Sequence, residues 1–126
     1  MIDMSGQVVL VVEDNADQSS AMIKALQDAG FSPLGVDGIT GAIFKLKNQK
    51  VSCIVLDLVL GEGNGAALIE LVRTRKDLPN SDTPILVVSA NLNKETLKGM
   101  AGKIQGAIAK PFDMKTFVSH VQRLAK

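Results

Sequence analysis

Four short apolar runs, each ending on a side chain with chemistry to offer, constrain this chain more than any other feature. Val8–Val12 leads into Glu13 and Asp14, and Cys53–Leu56 leads into Asp57. Ile85–Val88 leads into Ser89, and Ala107–Ala109 leads into Lys110 and Pro111. Continuous apolar runs of this length, separated by helix-period segments, read as strands of a parallel sheet covered on both faces. Parallel strands end on the same edge, and open α/β sheets place their sites along that edge. The pattern therefore brings three carboxylates, a hydroxyl and an ammonium to one rim.

The segments between the runs supply the helices. Ala16–Ala29 puts Met22, Ile23, Leu26 and Ala29 on one face, with Gly30 as its C-terminal cap. Phe31–Val36 is a further short strand, and Pro33 within it calls for a sheet edge because proline cannot donate to a ladder. Ile39–Asn48 repeats the helical period through Ile39, Ala42, Ile43 and Leu46. The third strand starts at Val51 or Ser52 and runs to Asp57, and a glycine-rich loop, Gly61–Gly65, follows it. Ala66–Arg75 is the next helix, burying Leu68, Ile69, Leu71 and Val72, and Asp77–Pro84 reads as a plain surface connection. Asn93–Ala101 is the fourth helix; it contains Gly99 and is followed by Gly102, which makes it the least stable element. The fifth starts from Asp113 as N-cap, with Phe112 and Phe117 stapled across it and Phe117, Val118, Val121 and Leu124 as its buried stripe.

Composition narrows the class. A chain of 126 residues with 46% hydrophobic content reads as one globular domain over residues 1–126. A net charge of +1 argues against nucleic acid or an anionic membrane as a partner. Met1–Gly6 has no export signal, and no apolar stretch approaches the roughly 20 residues of a membrane helix. The single Cys53 can form no internal disulfide, which fits a reducing cytoplasm as the expected location.

Glu13, Asp14 and Asp57 held close together repel one another, and a hard divalent cation removes the repulsion. Mg²⁺ takes oxygen ligands and only one or two carboxylates as a rule, and no His or Cys joins the group to suggest a transition metal. An ammonium beside such a cation makes sense when more negative charge arrives, and Lys110 and Ser89 are suited to phosphoryl oxygens. Phosphoryl transfer onto a carboxylate would give an aspartyl-phosphate, with Asp57 as acceptor at a central strand end.

In this order and at these spacings the motifs Val-Val-Glu13-Asp14-Asn15, Ile-Val-Leu-Asp57-Leu-Val-Leu with Gly65 eight residues on, Val-Val-Ser89-Ala90 and Lys110-Pro111-Phe112 resemble the receiver domain of bacterial two-component response regulators. The likeness covers essentially the whole chain. It implies a CheY-like, flavodoxin-like (βα)5 doubly wound α/β sheet of strand order 2-1-3-4-5. It implies that Asp57 accepts a phosphoryl group from a histidine kinase or histidine phosphotransfer protein. Asp14, Asp57 and the main-chain carbonyl of Val59 would bind Mg²⁺, with Glu13 acting through water. Ser89 and Lys110 would hold the phosphoryl group, the Lys110–Pro111 bond would be cis, and partner binding would change on the helix 4/strand 5/helix 5 face. Such a domain catalyses only its own phosphorylation and dephosphorylation and turns over no metabolite.

Three positions depart from the family pattern. Gly61 stands where a proline usually follows the phosphoacceptor, which predicts a looser loop. Ala107 stands where the family has its switch aromatic, so signalling is expected to rely on the Ser89–Asn93 loop and the fourth helix. Val59 has no polar group to orient an attacking water, which predicts slow loss of the phosphoryl group. Two other readings stand beside this one: a module of the same fold that binds partners without phosphorylation, and an Mg²⁺-dependent phosphohydrolase. The second lacks an acid at Val59 and a cap domain.

Overall fold

The computed structural model describes residues 6–60 and 63–125. Five parallel strands form the central sheet: β1 (Val8–Val12), β2 (Ser32–Val36), β3 (Cys53–Asp57), β6 (Ile85–Ser89) and β7 (Gly106–Ala109). Their order is β2-β1-β3-β6-β7. The two intervening strands, β4 (Val59–Leu60) and β5 (Gly63–Asn64), pair antiparallel in a separate ribbon. Counting only the central sheet, the order is 2-1-3-4-5, as the resemblance implies. Five helices alternate with the strands: α1 (Ala16–Asp28), α2 (Ile39–Asn48), α3 (Gly65–Thr74), α4 (Lys94–Gly99) and α5 (Met114–Leu124).

Strand residues alternate between two cores because successive Cβ atoms point to opposite faces. Leu10, Val12, Ile54, Leu56 and Val87 pack on one side with Ala42 and Leu46 of α2 and Leu68, Ile69 and Val72 of α3. Val9, Val11, Cys53, Val55, Leu86 and Val88 pack on the other with Met22 and Leu26 of α1 and Phe117 and Val121 of α5. Both faces are covered, so the inner strands are apolar throughout. Cys53 is wholly buried, and burial pushes its thiol pKa up to about 12, far from any thiolate chemistry at neutral pH. β2 lies at the edge, where Pro33, opposite Val9, removes no ladder bond that the sheet needs.

Local signals set the helix ends. Asn15 caps α1 by accepting the Gln18 N–H at 2.9 Å, and Gly30 leaves the helix with φ of 96°. Asp113 caps α5 through the Thr116 N–H at 2.7 Å, and the Phe112 and Phe117 rings lie 5.6 Å apart as the expected staple. Leu71, Val118 and Leu124 are only half-buried. α4 is shorter than its sequence pattern, six residues with none buried.

Two connections differ from expectation. The glycine-rich stretch after Asp57 is in part a ribbon, in which Val59 pairs with Asn64 and Leu60 with Gly63. Gly61 and Glu62 lie outside the described residues. The Asp77–Pro84 segment is no plain surface loop, because Asn80 and Thr83 are buried within it. Asn80 accepts from the Val51 N–H at 2.8 Å and donates to the Leu46 and Gln49 carbonyls at 2.8 and 2.7 Å. Thr83 Oγ1 donates to Asn80 Oδ1 at 2.9 Å. This latch satisfies main-chain groups where α2 ends and β3 begins, which no helix or ladder reaches.

Candidate functional site

The carboxyl ends of β1, β3 and β6 and the residue after β7 meet at one rim. The Glu13 N–H reaches the Val36 carbonyl at 3.1 Å, and the Lys110 N–H reaches the Ser89 carbonyl at 2.9 Å, so main-chain bonds continue the ladder into the site. The Lys110–Pro111 bond is cis. Glu13, Asp57 and Ser89 are buried, whereas Asp14 is exposed.

Lys110 Nζ lies 2.8 Å from Glu13 Oε1 and 2.9 Å from Asp57 Oδ2, bridging two buried carboxylates. The other oxygens are also bonded: Glu13 Oε2 accepts the Asn15 N–H at 3.2 Å and Asp57 Oδ1 accepts the Val59 N–H at 3.0 Å. Burial pushes the Glu13 carboxyl above its ordinary pKa, and Lys110 and the Asn15 N–H offset this only in part. Burial draws the Lys110 ammonium down, but its bonds to Glu13 and Asp57 outweigh that and hold its pKa above the ordinary lysine value.

Glu13, Asp14 and Asp57 each offer an oxygen, and these atoms all lie within 4.8 Å of one another. They open on a cleft of about 350 Å³ that Gln18, Val59, Ala90 and Asn91 also line. An all-oxygen donor set beside open space suits a hard divalent cation, and a lysine at its edge suits an oxyanion. Ser89 sits at the end of β6 with its Oγ accepting the Asn91 N–H at 3.2 Å. Val59 is 62% exposed, so a valine surface stands at the mouth beside Asp57. Ala107 lies opposite Val87 in the sheet and packs on the α2/α3 core, with no ring at this position.

Glu13, Asp14, Asp57, Val59 and Lys110 line the cleft, and Ser89 lies buried at the end of β6. Asn15 and Gln18 gain roles that strand-end reasoning did not assign, as a donor to Glu13 and as part of the cleft wall. Gly65 gains a reason: a Cβ built on it would lie 2.7 Å from the Asp57 carbonyl oxygen and 3.1 Å from Leu58 Cα. Only glycine lets the start of α3 come this close to the end of β3. His120 is elsewhere, on α5, where its Nδ1 lies 3.0 Å from Arg123 Nη2.

Residues 9–122 match the family described as response regulator receiver domain. The phosphate regulon transcriptional regulatory protein PhoB of Klebsiella pneumoniae is 26% identical over 119 residues, which is 94% of this chain and 51% of that protein. The chain thus spans about half the length of the curated relatives it matches first. Among solved structures, the Vibrio cholerae chemotaxis protein CheY4 superposes with a TM-score of 0.86 at 24% identity, covering 94% of this chain and 98% of that one. The receiver domain of the sensor histidine kinase PA1611 from Pseudomonas aeruginosa, with a magnesium ion coordinated in its active-site cleft, superposes with a TM-score of 0.84 at 24% identity, covering 96% and 98%.

Proposed function

The chain belongs to the response regulator receiver domain family, the phosphorylation-controlled signalling domains of two-component systems, and on that footing we propose that Asp57 is its phosphoacceptor. The observation that carries this reading is the setting of the Asp57 carboxylate. It is held between the Val59 N–H and the Lys110 ammonium, with Glu13 and Asp14 oxygens within 4.8 Å and an open cleft in front.

Asp57 attacks the phosphorus of a phosphohistidine on a histidine kinase or phosphotransfer protein. An O–P bond forms, the donor's N–P bond breaks, and the imidazole leaves with the electron pair and takes a proton. Lys110 is already within bonding distance of Asp57, so its ammonium meets the phosphoryl oxygens without a rearrangement of the main chain. Ser89 Oγ accepts from Asn91, and a hydroxyl that accepts still has its own proton to donate to a phosphoryl oxygen. Glu13, Asp14 and Asp57 with the Val59 carbonyl would hold Mg²⁺, a reading supported by their shared oxygen chemistry and by the magnesium ion of the PA1611 receiver domain. When bound, the ion neutralises charge on the carboxylates and on the transferred group.

The domain's own chemistry is confined to gaining and losing this group, and its output is a change in protein binding on the α4/β7/α5 face. The exposed Val59 side chain has no polar atom to orient water, so the acyl-phosphate is expected to be long-lived. The same valine opposes a phosphohydrolase, which needs an acid there. No helix is long and apolar enough to cross a membrane among the described residues, and we place the domain in the cytoplasm with its kinase.

The test is intact mass after incubation with acetyl phosphate, with Mg²⁺ or with EDTA, on the chain and on Asp57→Asn. One added phosphoryl group that needs both Mg²⁺ and Asp57 and is released by hydroxylamine establishes the reading. No adduct, together with no Mg²⁺-dependent binding of beryllofluoride, replaces it with a phosphorylation-independent binding module.

A further inference from the structure

The last turn of α3 carries a guanidinium whose hydrogen-bond partners are all uncharged oxygens. Arg73 Nε donates to the Lys103 carbonyl at 2.9 Å, Nη1 to the Ser81 carbonyl at 3.0 Å and Nη2 to Gln105 Oε1 at 2.9 Å. Gln105 Oε1 also accepts the Ile85 N–H at 2.8 Å, and the Gln105 N–H returns to the Ile85 carbonyl at 3.0 Å. Arg73 thus ties α3 to the connection before β6 and to the connection before β7, and through Gln105 to the first residue of β6. Lys103 adds an ion pair to Glu70, one turn back on α3. Burial lowers the Arg73 pKa from its ordinary value, with Asp82 opposing, and the group stays charged because an arginine does not lose its proton in a protein. A rigid fork of donors fits three oxygens at fixed angles in a way that a lysine cannot.

α4 lies between this knot and the cleft. None of its six residues is buried, Leu97 is 39% exposed, and a Cβ on Gly99 would meet nothing within 4 Å. The chain beyond its C-terminus is held firmly: Met100 is 5% exposed within the core, Gly102 turns the backbone with φ of 80°, and Lys103 enters the knot. The residues ahead of its N-terminus belong to the site, since Asn91 lines the cleft and bonds Ser89 while Asn93 caps the helix. The segment is attached at its head to the cleft and at its foot to Arg73. On β7 beside it, Ala107 supplies no ring that could move.

We propose that Arg73 is a positioning residue that fixes the foot of a switch segment: a change at the cleft moves residues 90–99 and stops at Met100–Gln105. The trigger rests on the phosphoacceptor reading; the anchoring does not. Few core contacts and exposed main-chain bonds make α4 the element with the lowest local opening energy. A fixed foot turns that looseness into movement in one place, so that β7 keeps its pairing with β6.

The experiment is amide hydrogen exchange read residue by residue by NMR, on the full chain and on Arg73→Gln and Arg73→Lys. Without ligand, residues 94–99 of the parent chain are expected to exchange at least tenfold faster than 103–106. Both variants are expected to bring 103–106 up to the α4 rate when each is scaled to the β3 amides of the same protein. With Mg²⁺ and beryllofluoride, exchange in the parent chain changes at the residues lining the cleft and, beyond them, only over 90–99, and in Arg73→Gln the change extends through 103–109. Equal exchange of 103–106 and α4 in the parent chain overturns the anchor, as does a variant ratio unchanged from the parent. A beryllofluoride response as large at 103–106 as at 90–99 in the parent chain also overturns it. If beryllofluoride changes nothing in the parent chain, the trigger fails with the phosphoacceptor reading, while the ligand-free arm decides the anchor by itself.

Discussion

Replacing Asn80 by alanine is expected to remove a large part of the stability of this domain, although the residue sits in a polar connection far from the cleft. Its side chain is wholly buried and makes four bonds. The alanine variant strands the Val51 N–H and the Leu46 carbonyl. Thr83 Oγ1 loses its partner on Asn80 but keeps the Val51 carbonyl at 3.3 Å, and the exposed Gln49 can turn its carbonyl to water. With a net worth of about 1 kcal/mol for each bond and about 1–3 kcal/mol for a stranded buried group, the loss is about 3–4 kcal/mol. That is between about a fifth and four-fifths of the roughly 5–15 kcal/mol that holds a domain of this size together. The assay is urea unfolding followed by far-ultraviolet circular dichroism, since the chain has no Trp or Tyr. At an m value on the order of 2 kcal/mol/M, the midpoint falls by roughly 2 M with the slope unchanged. Lys50→Ala is the control: it removes an exposed pair with Asp82 and is expected to cost less than about 1 kcal/mol. A midpoint for Asn80→Ala within roughly 0.3 M of the parent, on that m value, would refute the claim that buried polar satisfaction decides here.

The remaining predictions concern α4 and the rim. Gly99→Ala is expected to stabilise α4 by about 0.5–1 kcal/mol, since its Cβ enters open space, whereas Gly102→Ala costs about 1 kcal/mol or more because φ there is 80°; thermal unfolding separates the two signs. Gly65→Ala drives a Cβ to 2.7 Å from the Asp57 carbonyl oxygen. It is expected to cost about 1–3 kcal/mol and to slow phosphorylation by acetyl phosphate on the order of 10–100-fold, because the displaced carbonyl belongs to the main chain that positions the acceptor carboxylate. Lys110→Met, without divalent cation, leaves two buried carboxylates unpaired and is expected to cost about 3 kcal/mol. The Lys110 pKa is raised in the folded state, so its stabilisation is fully present below the unfolded lysine value of about 10.4 and is lost as pH rises through the folded value. The stability gap between parent and variant is therefore expected to stay level through neutral pH and to close at strongly alkaline pH.

The sheet and its chemical rim were legible because one rule writes both. A strand buried on two faces admits no polar residue until it reaches the edge, so Asp57 and Ser89 are marked by the apolar runs that precede them. The features that escaped the sequence depend on partners far away along the chain. Asn80 looks like any loop asparagine until Leu46, Gln49 and Val51 are brought beside it. Arg73 looks like the solvent side of a helix, because Ser81, Lys103 and Gln105 mark no pattern with it. The β4–β5 ribbon has two residues in each strand, too few to show a period. The glycine at position 65 could be read as part of a motif, but its cause, the carbonyl of Asp57, is a contact and leaves no trace in composition.

The Asn80 latch has a consequence for how the domain meets its solvent. At the rim, the contacts that matter run between ionised groups. At the opposite pole, the buried bonds of Asn80 and Thr83 join an amide and a hydroxyl to each other and to main-chain groups, and none of these changes protonation between about pH 5 and pH 10. The rim is therefore held by ionised groups, whereas the buried latch is titration-silent and leaves the charges of its pole to exposed pairs such as Lys50 with Asp82. Acid and salt act on the first and leave the strand starts in register, so a pH titration is expected to move the amide resonances around Glu13 and Lys110 while those of Leu46 and Val51 hold still. The cleft can be loaded, emptied and recharged over a base that does not register the change.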